Sequence, residues 1–344
     1  MLVVGAVHGH SRYSDGRGTV EEIRAAAQAA GLDFLILTDH DTLRPLAEVG
    51  EAFCGRTLSL FGCEVSPPTN HLLVFGAERC PDRSRAPQEY LDDAAAQGAL
   101  TFLAHPHDRG VPLAHIPAYP WEAWPLEEFT GLEVWNQLSD FAGHLGGLSS
   151  AIRALRRPHL ALQGPEPETL ALWDALGRER RVVGLAGLDV HDIHIGRPPL
   201  GLRIFPYDYA MRTLLCYVDV AEWSEDAQTA KVRLLEAFAA GRLHFAHHGL
   251  ADARDVRFAA RLADGAELPM GAEHPWQAAR ELALRSPEPA ELRLLRDGET
   301  AAESFGRELA VRPEGPGVYR AELRLRRDGR SLPWAFTNPI YLRP

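Results

Sequence analysis

The chain has 344 residues, 46% of them hydrophobic, and a formal net charge of −11. At roughly 150 residues per domain this length suggests about two domains, and the apolar fraction excludes an intrinsically disordered chain. The acidic balance argues against a broad nucleic-acid-binding face and against adhesion to an anionic membrane.

Residues 2–7 are an apolar run that reads as a strand, ending in His8-Gly9-His10. Side chains at i and i+2 of a strand point the same way, so these two imidazoles can grip one ion. Asp15 follows on the turn Ser14-Asp15-Gly16. Thr19 with Glu21 and Glu22 reads as a helix start, and Gly31 as its end. A second strand, 34–37, leads into Thr38-Asp39-His40-Asp41-Thr42. A third, 58–63, leads into Glu64, and His71 opens a fourth at 72–76.

Residues 87–97 read as an exposed helix, and the strand at 99–104 runs directly into His105-Pro106. The Pro- and Trp-rich stretch 106–125 reads as a loop beside a pocket, with His107 out of register for ligation. A strand at 131–136 carries Glu133 and Asn136. The irregular stretch 137–166 reads as a lid or a long connection, and 170–180 as a helix. The strand 182–188 leads to Asp189-Val190-His191, which repeats the i, i+2 geometry. A helix at 230–240 precedes His247-His248-Gly249, after which alternating runs take over. Asp297-Gly298 and Asp328-Gly329 mark hairpin turns there. This predicts a division into a barrel at 1–249 and a small antiparallel β-sandwich at 250–344.

The motifs HxH, SDG and TDHDT, in this order and spacing, resemble the PHP (polymerase and histidinol phosphatase) metal-dependent hydrolases. His105-Pro106 resembles the family's third histidine motif. Asp189-Val190-His191 is similar to its final SDAH-type motif, with Leu188 where serine is usual. The closing stretch Trp334–Tyr341 resembles the CehA/McbA-like branch. The resemblance implies an α/β fold, a distorted (β/α)7 barrel with ligands at strand exits, followed by the sandwich.

It also implies a metal centre built from His8, His10, Asp15, His40, Glu64, His71, His105, Asp189 and His191. Nine ligands exceed the four of one tetrahedral ion, so two or three divalent ions are expected; imidazole with carboxylate suits Mn, Zn or Fe. By the resemblance, His8, His10, Glu64 and Asp189 hold one ion, and Glu64, His71 and His105 a second. Asp15, His40 and His191 hold a third and form the catalytic group. Glu133 and Asn136 look like a positioning pair, and Asp39 and Asp41 are candidates for orienting His40.

Water shared by such ions becomes a nucleophile near neutral pH, and the ions neutralise charge on a reacting phosphoryl group. The expected activity is a phosphoesterase acting on a small phosphate ester, nucleotide or short oligonucleotide. Arg12, Arg197 and His194 are the candidate substrate-binding residues. The alternatives are hydrolysis of a carboxylic or carbamic ester by the same centre, and a non-catalytic metal-binding module. Pocket lining separates the two esters: an apolar wall of Trp121, Trp124 and Trp135 would favour an aryl ester, arginines a phosphate.

The sandwich is expected to serve packing or homo-oligomerisation. The cysteines Cys54, Cys63, Cys80 and Cys216 form no CxxC pair, so free thiols are expected. No segment approaches the ~18 apolar residues of a membrane span, so a cytoplasmic location is expected.

Overall fold

The computed structural model describes residues 1–110, 117–144, 161–195 and 202–344. The fold is mixed α/β. Strand β1 (Leu2–Val7) is the apolar run before His8, and helix α1 (Val20–Ala29) starts where Thr19 and Glu22 form a reciprocal capping box. Strand β2 (Phe34–Leu37) pairs parallel with β1 and with β4 (Thr57–Val65), whose nine residues are all buried. The short α2 (Arg44–Glu48) and β3 (Ala52–Cys54) lie in the connection, β3 antiparallel on β4.

Strand β5 (Leu72–Phe75) is antiparallel to β4 and to β6 (Leu100–Leu103). Helix α3 (Pro87–Ala96) joins β5 to β6 and buries Tyr90, Leu91 and Ala94, so it is amphipathic where the sequence suggested an exposed helix. Strands β6, β7 (Gly131–Asn136) and β8 (Val183–Gly187) run parallel. Residues 137–143, read as irregular, form helix α4 (Gln137–Gly143), because the Asn136 side chain caps it by accepting from the Ser139 N–H. Residues 145–160 of that stretch lie outside the described residues. Helix α5 (Pro167–Glu179) then leads to β8.

The exit of β8 returns to β1. Leu188 N–H donates to the Val7 carbonyl at 3.0 Å, and His10 N–H to the Val190 carbonyl at 3.0 Å. The two runs of parallel strands therefore meet where the first and last histidine motifs lie. The pair β9 (Ile193–Ile195) and β10 (Leu202–Ile204) stands apart as its own antiparallel ladder, followed by the short helix α6 (Tyr207–Ala210).

Along its start, β1 pairs instead with β11 (Leu214–Asp219), and β11 with β12 (Leu243–His247), α7 (Ala227–Ala239) linking the two. Strand β12 pairs with β19 (Arg330–Thr337), so the sheet continues without a break into the C-terminal region. There β13 (Arg257–Leu262), β14 (Glu267–Pro269), β15 (Glu273–Pro275), β16 (Ala279–Arg296), β17 (Glu299–Val311), β18 (Gly317–Arg327) and β20 (Ile340–Arg343) pair mainly antiparallel. The exception is β15 with β20, which is parallel. Both Asp-Gly pairs sit in the hairpin turns, with φ +54° and +89° at 297–298 and +52° and +73° at 328–329. Two successive positive φ values are what a tight turn between twisted strands requires.

Side chains also tie the C-terminal region to the strands that carry the motifs. Arg320, 2% exposed, donates to both carboxylate oxygens of Asp174 on α5 at 2.7 and 2.8 Å. The Asn338 amide accepts from Gly184 N–H at 2.8 Å and donates to the Gly184 carbonyl at 2.7 Å, closing the free edge of β8. All four cysteines are free thiols. Among the described residues no helix is long and apolar enough to cross a membrane.

Candidate metal centre

Five histidines of these motifs converge on Glu64. Its Oε2 lies 3.1 Å from His8 Nε2, 3.3 Å from His10 Nε2 and 3.1 Å from His40 Nδ1. Its Oε1 lies 2.9 Å from His71 Nδ1 and 3.2 Å from His105 Nε2. Asp189 Oδ1 faces His8 and His10 at 3.5 and 3.4 Å. On the open side Asp15 Oδ1 is 3.2 Å from His191 Nε2 and 3.6 Å from His40 Nε2. Three groups have ligand atoms close enough for one ion: His8, His10, Glu64, Asp189; Glu64, His71, His105; and His10, Asp15, His40, His191. The structure thus brings together all nine sequence-derived ligand positions, and adds His10 to the third group.

The donor set fits divalent ions on a second ground. His10 is fully buried, yet neither of its ring nitrogens makes a hydrogen bond. Its Nε2 is within 3.4 Å of two carboxylates without being aligned on either, as expected where imidazole and carboxylates aim at a shared point. Other ligands are held by an outer partner, leaving one nitrogen facing the cluster. His8 Nδ1 donates to Glu133 Oε1 at 2.7 Å, His71 Nε2 to the Pro67 carbonyl at 2.9 Å, and His191 Nδ1 to the Asp189 carbonyl at 2.9 Å. His40 Nδ1 donates to Ser66 Oγ at 2.6 Å. Such partners fix the tautomer that a metal needs.

Glu133 links the ligands further. Its Oε2 accepts from His105 N–H at 2.8 Å and from Asn136 Nδ2 at 2.9 Å, and Asn136 also reaches Asp189 Oδ2 at 3.2 Å. Gly187 makes room for this contact: a Cβ there would lie 1.9 Å from Glu133 Oε1. Asp39 braces the loop after His10 by accepting from Ser11 N–H, Ser11 Oγ and Ser14 Oγ, each at 2.7 Å. Asp41 accepts from Ser66 N–H at 2.9 Å and pairs with Arg83 at 3.0 Å. Backbone strain collects here: His8, His105 and Asp189 have φ of +62°, +28° and +51°, which non-glycine residues seldom adopt.

The charges reinforce each other. Burial alone would lower the histidine pKa values, but the carboxylates outweigh it. His40 and His105 rise to about 9, with Glu64 the leading partner, and Glu133 with Asp189 and Glu64 holds His8 well above its ordinary value. His10 goes the other way, lowered by burial and by the neighbouring His191. Burial would raise the carboxyls, yet the surrounding imidazoles hold Glu64 and Asp189 well below the usual range and Asp15 at about 2.

The centre opens into a cavity of about 840 Å³. Arg17 and Arg83 line it, two arginines that sequence reasoning missed, while Arg12 and His194 line an adjoining cavity. Arg203 and His194 both pair with Asp192 there. Arg197 lies outside the described residues. Trp121, Trp124 and Trp135 do not line the metal cavity: Trp121 and Trp135 are buried in the core, and Trp124 faces Phe129. Its aromatic wall is Tyr119 instead, stacked on His71 with ring centres 5.0 Å apart. His107 turns away to Thr169.

No protein-family model and no curated protein matches the chain. Among solved structures it is similar to a two-domain protein containing a predicted PHP-like metal-dependent phosphoesterase from Bacteroides vulgatus ATCC 8482. That likeness has 14% identity and a TM-score of 0.46, and covers 99% of this chain and 95% of that one. A second is to an amidohydrolase from Chromobacterium violaceum with bound sulfate and no metal, at 16% identity and a TM-score of 0.28, covering 54% of this chain and 87% of that one. Both likenesses are distant.

Proposed function

We propose that the protein is a metal-dependent phosphoesterase acting on a small phosphate ester or nucleotide, with two or three Mn, Zn or Fe ions held by the nine ligands. The fold that carries it is read as a distorted (β/α)7 barrel with a C-terminal sandwich. The observation that carries the proposal is three adjoining ligand groups at the base of an open cavity, two of them sharing the buried Glu64 and the third joined to them through His10. Divalent ions there supply water activation and charge neutralisation at the reacting centre.

The chain's own residues supply the rest. Arg83 is paired with Asp41, whereas Arg17 has no ion pair among the described residues; Arg17 is the cation available to phosphoryl oxygens. Asp15, with a side chain 59% exposed and touching His191 and His40, is the carboxylate on the substrate side. Held ionised by His191, it would serve as a ligand at the open side, while Glu133 and Ser66 keep His8 and His40 oriented. Arg17 in the lining supports phosphate over a carboxylic or carbamic ester.

The test is hydrolysis of p-nitrophenyl phosphate, a bis(p-nitrophenyl) diester, the acetate and a carbamate by Mn-reconstituted protein, with His40→Ala as control. Phosphate-ester turnover that vanishes in the variant supports the proposal. Turnover of the acyl or carbamoyl substrates alone overturns it in favour of the second chemistry.

A further inference from the structure

Beyond the ligands, the cavity lining includes Arg17 and Arg83 and the apolar Pro67, Pro68, Pro117, Tyr119 and Leu138; Pro67 and Tyr119 both meet His71, whose Nε2 donates to the Pro67 carbonyl and whose ring stacks on Tyr119. That apolar patch has no role in holding metal and borders solvent, where it costs free energy unless a ligand covers it. Tyr119 fixes its distance from the chemistry. Its ring stacks 5.0 Å from that of His71, so a group bonded through oxygen to a phosphorus at the centre comes within reach of it.

We infer that the site, if it is the phosphoesterase proposed above, prefers phosphate esters whose alcohol part is an aromatic ring. The ring lies against Tyr119 and the prolines while Arg17 holds the phosphoryl oxygens. Tyr119 favours a planar aromatic occupant over a flexible aliphatic one, and two further features hold the wall ready for it. Tyr119 is itself an aromatic face lining the cavity, and aromatic rings gain from stacked or edge contacts beyond the area they bury. The prolines are rigid and lose no side-chain freedom on contact. The backbone N–H of Tyr119 donates to Asp108 at 2.9 Å, so the wall is anchored before any ligand arrives.

The test uses phosphonates, which bind without reacting and so remove leaving-group effects. Calorimetric titration of the full-length, Mn-loaded protein with methyl-, cyclohexyl- and phenylphosphonate is expected to show phenyl tighter than methyl by about tenfold and tighter than cyclohexyl by about threefold. Tyr119→Ala should bring the phenyl-to-methyl ratio below about threefold, and Tyr119→Phe should keep it. A Tyr119→Ala protein that had merely lost metal would weaken all three ligands together and leave their ratio intact. Equal affinities in the unmodified protein, or a ratio untouched by Tyr119→Ala, overturn the aromatic assignment and leave the phosphoesterase proposal standing. Failure of all three phosphonates to bind the metal-loaded protein overturns both.

Discussion

Replacing Glu133 by glutamine keeps the shape of the side chain and breaks its logic. In the native arrangement one oxygen accepts from His8 Nδ1 at 2.7 Å, and the other accepts from His105 N–H and Asn136 Nδ2 at 2.8 and 2.9 Å. A glutamine has one acceptor oxygen and one NH2. If the oxygen stays toward His105 and Asn136, the NH2 faces His8 Nδ1. The imidazole then carries its proton on Nε2, the nitrogen that faces Glu64 and Asp189. A protonated Nε2 cannot ligate. The flipped amide sets its NH2 against two donors instead, at the cost of two buried hydrogen bonds. Losing an outer partner of this kind costs about 10–100-fold in metal affinity, or about 1.4–2.7 kcal/mol. Calorimetric titration of Mn or Zn into metal-free Glu133→Gln measures it, with circular dichroism to check the fold. An affinity within about threefold of the parent protein would refute the reasoning, because His8 would then ligate without the carboxylate that sets its tautomer.

Three further outcomes are expected. Asn338→Ala leaves the Gly184 N–H and carbonyl unpaired in the core, at about 1–3 kcal/mol each; urea unfolding should show a loss of about 2–6 kcal/mol, and a loss well under this would mean that β8 finds other partners. With His40 and His105 raised to about 9, metal-free protein at pH 7 carries protons that binding must expel. Affinity therefore rises with pH up to about 9, and titrations in buffers of different ionisation enthalpy should show net proton release at pH 7; none would sink the argument. His244 is buried, its pKa lowered to about 4 by burial despite a hydrogen bond to the Ala253 carbonyl. Because the folded value lies below the unfolded one, its contribution is present above pH 6.5 and is lost as pH falls toward 4, about 3 kcal/mol in all. His244→Gln should flatten the pH dependence of unfolding over that window, and an unchanged slope would count against it.

What the sequence determined is what is local to a strand exit. His8 and His10, and Asp189 and His191, were marked by the apolar run before each pair, but the strand period does not place them: β1 and β8 end at Val7 and Gly187, and His8 and Asp189 have φ of +62° and +51°; His40, Glu64 and His105 also follow apolar runs. The two Asp-Gly turns are equally local, since the pair supplies the positive φ values by itself. Arg17 stands two residues past Asp15 in the same loop, and that proximity was the one signal that could have marked it. The rest was decided by contacts between residues far apart in the chain. Glu133 meets His8 across 125 positions, and Asn338 meets Gly184 across 154. Which arginine faces the metal cavity, that three tryptophans avoid it, and that Tyr119 takes their place all depend on how the strand-exit loops fold over the centre. Residue type and spacing fix which atoms can bind an ion, because ligand chemistry is short-ranged. The surroundings of those atoms, and so the substrate, are set only when the strands close and bring distant loops to one mouth.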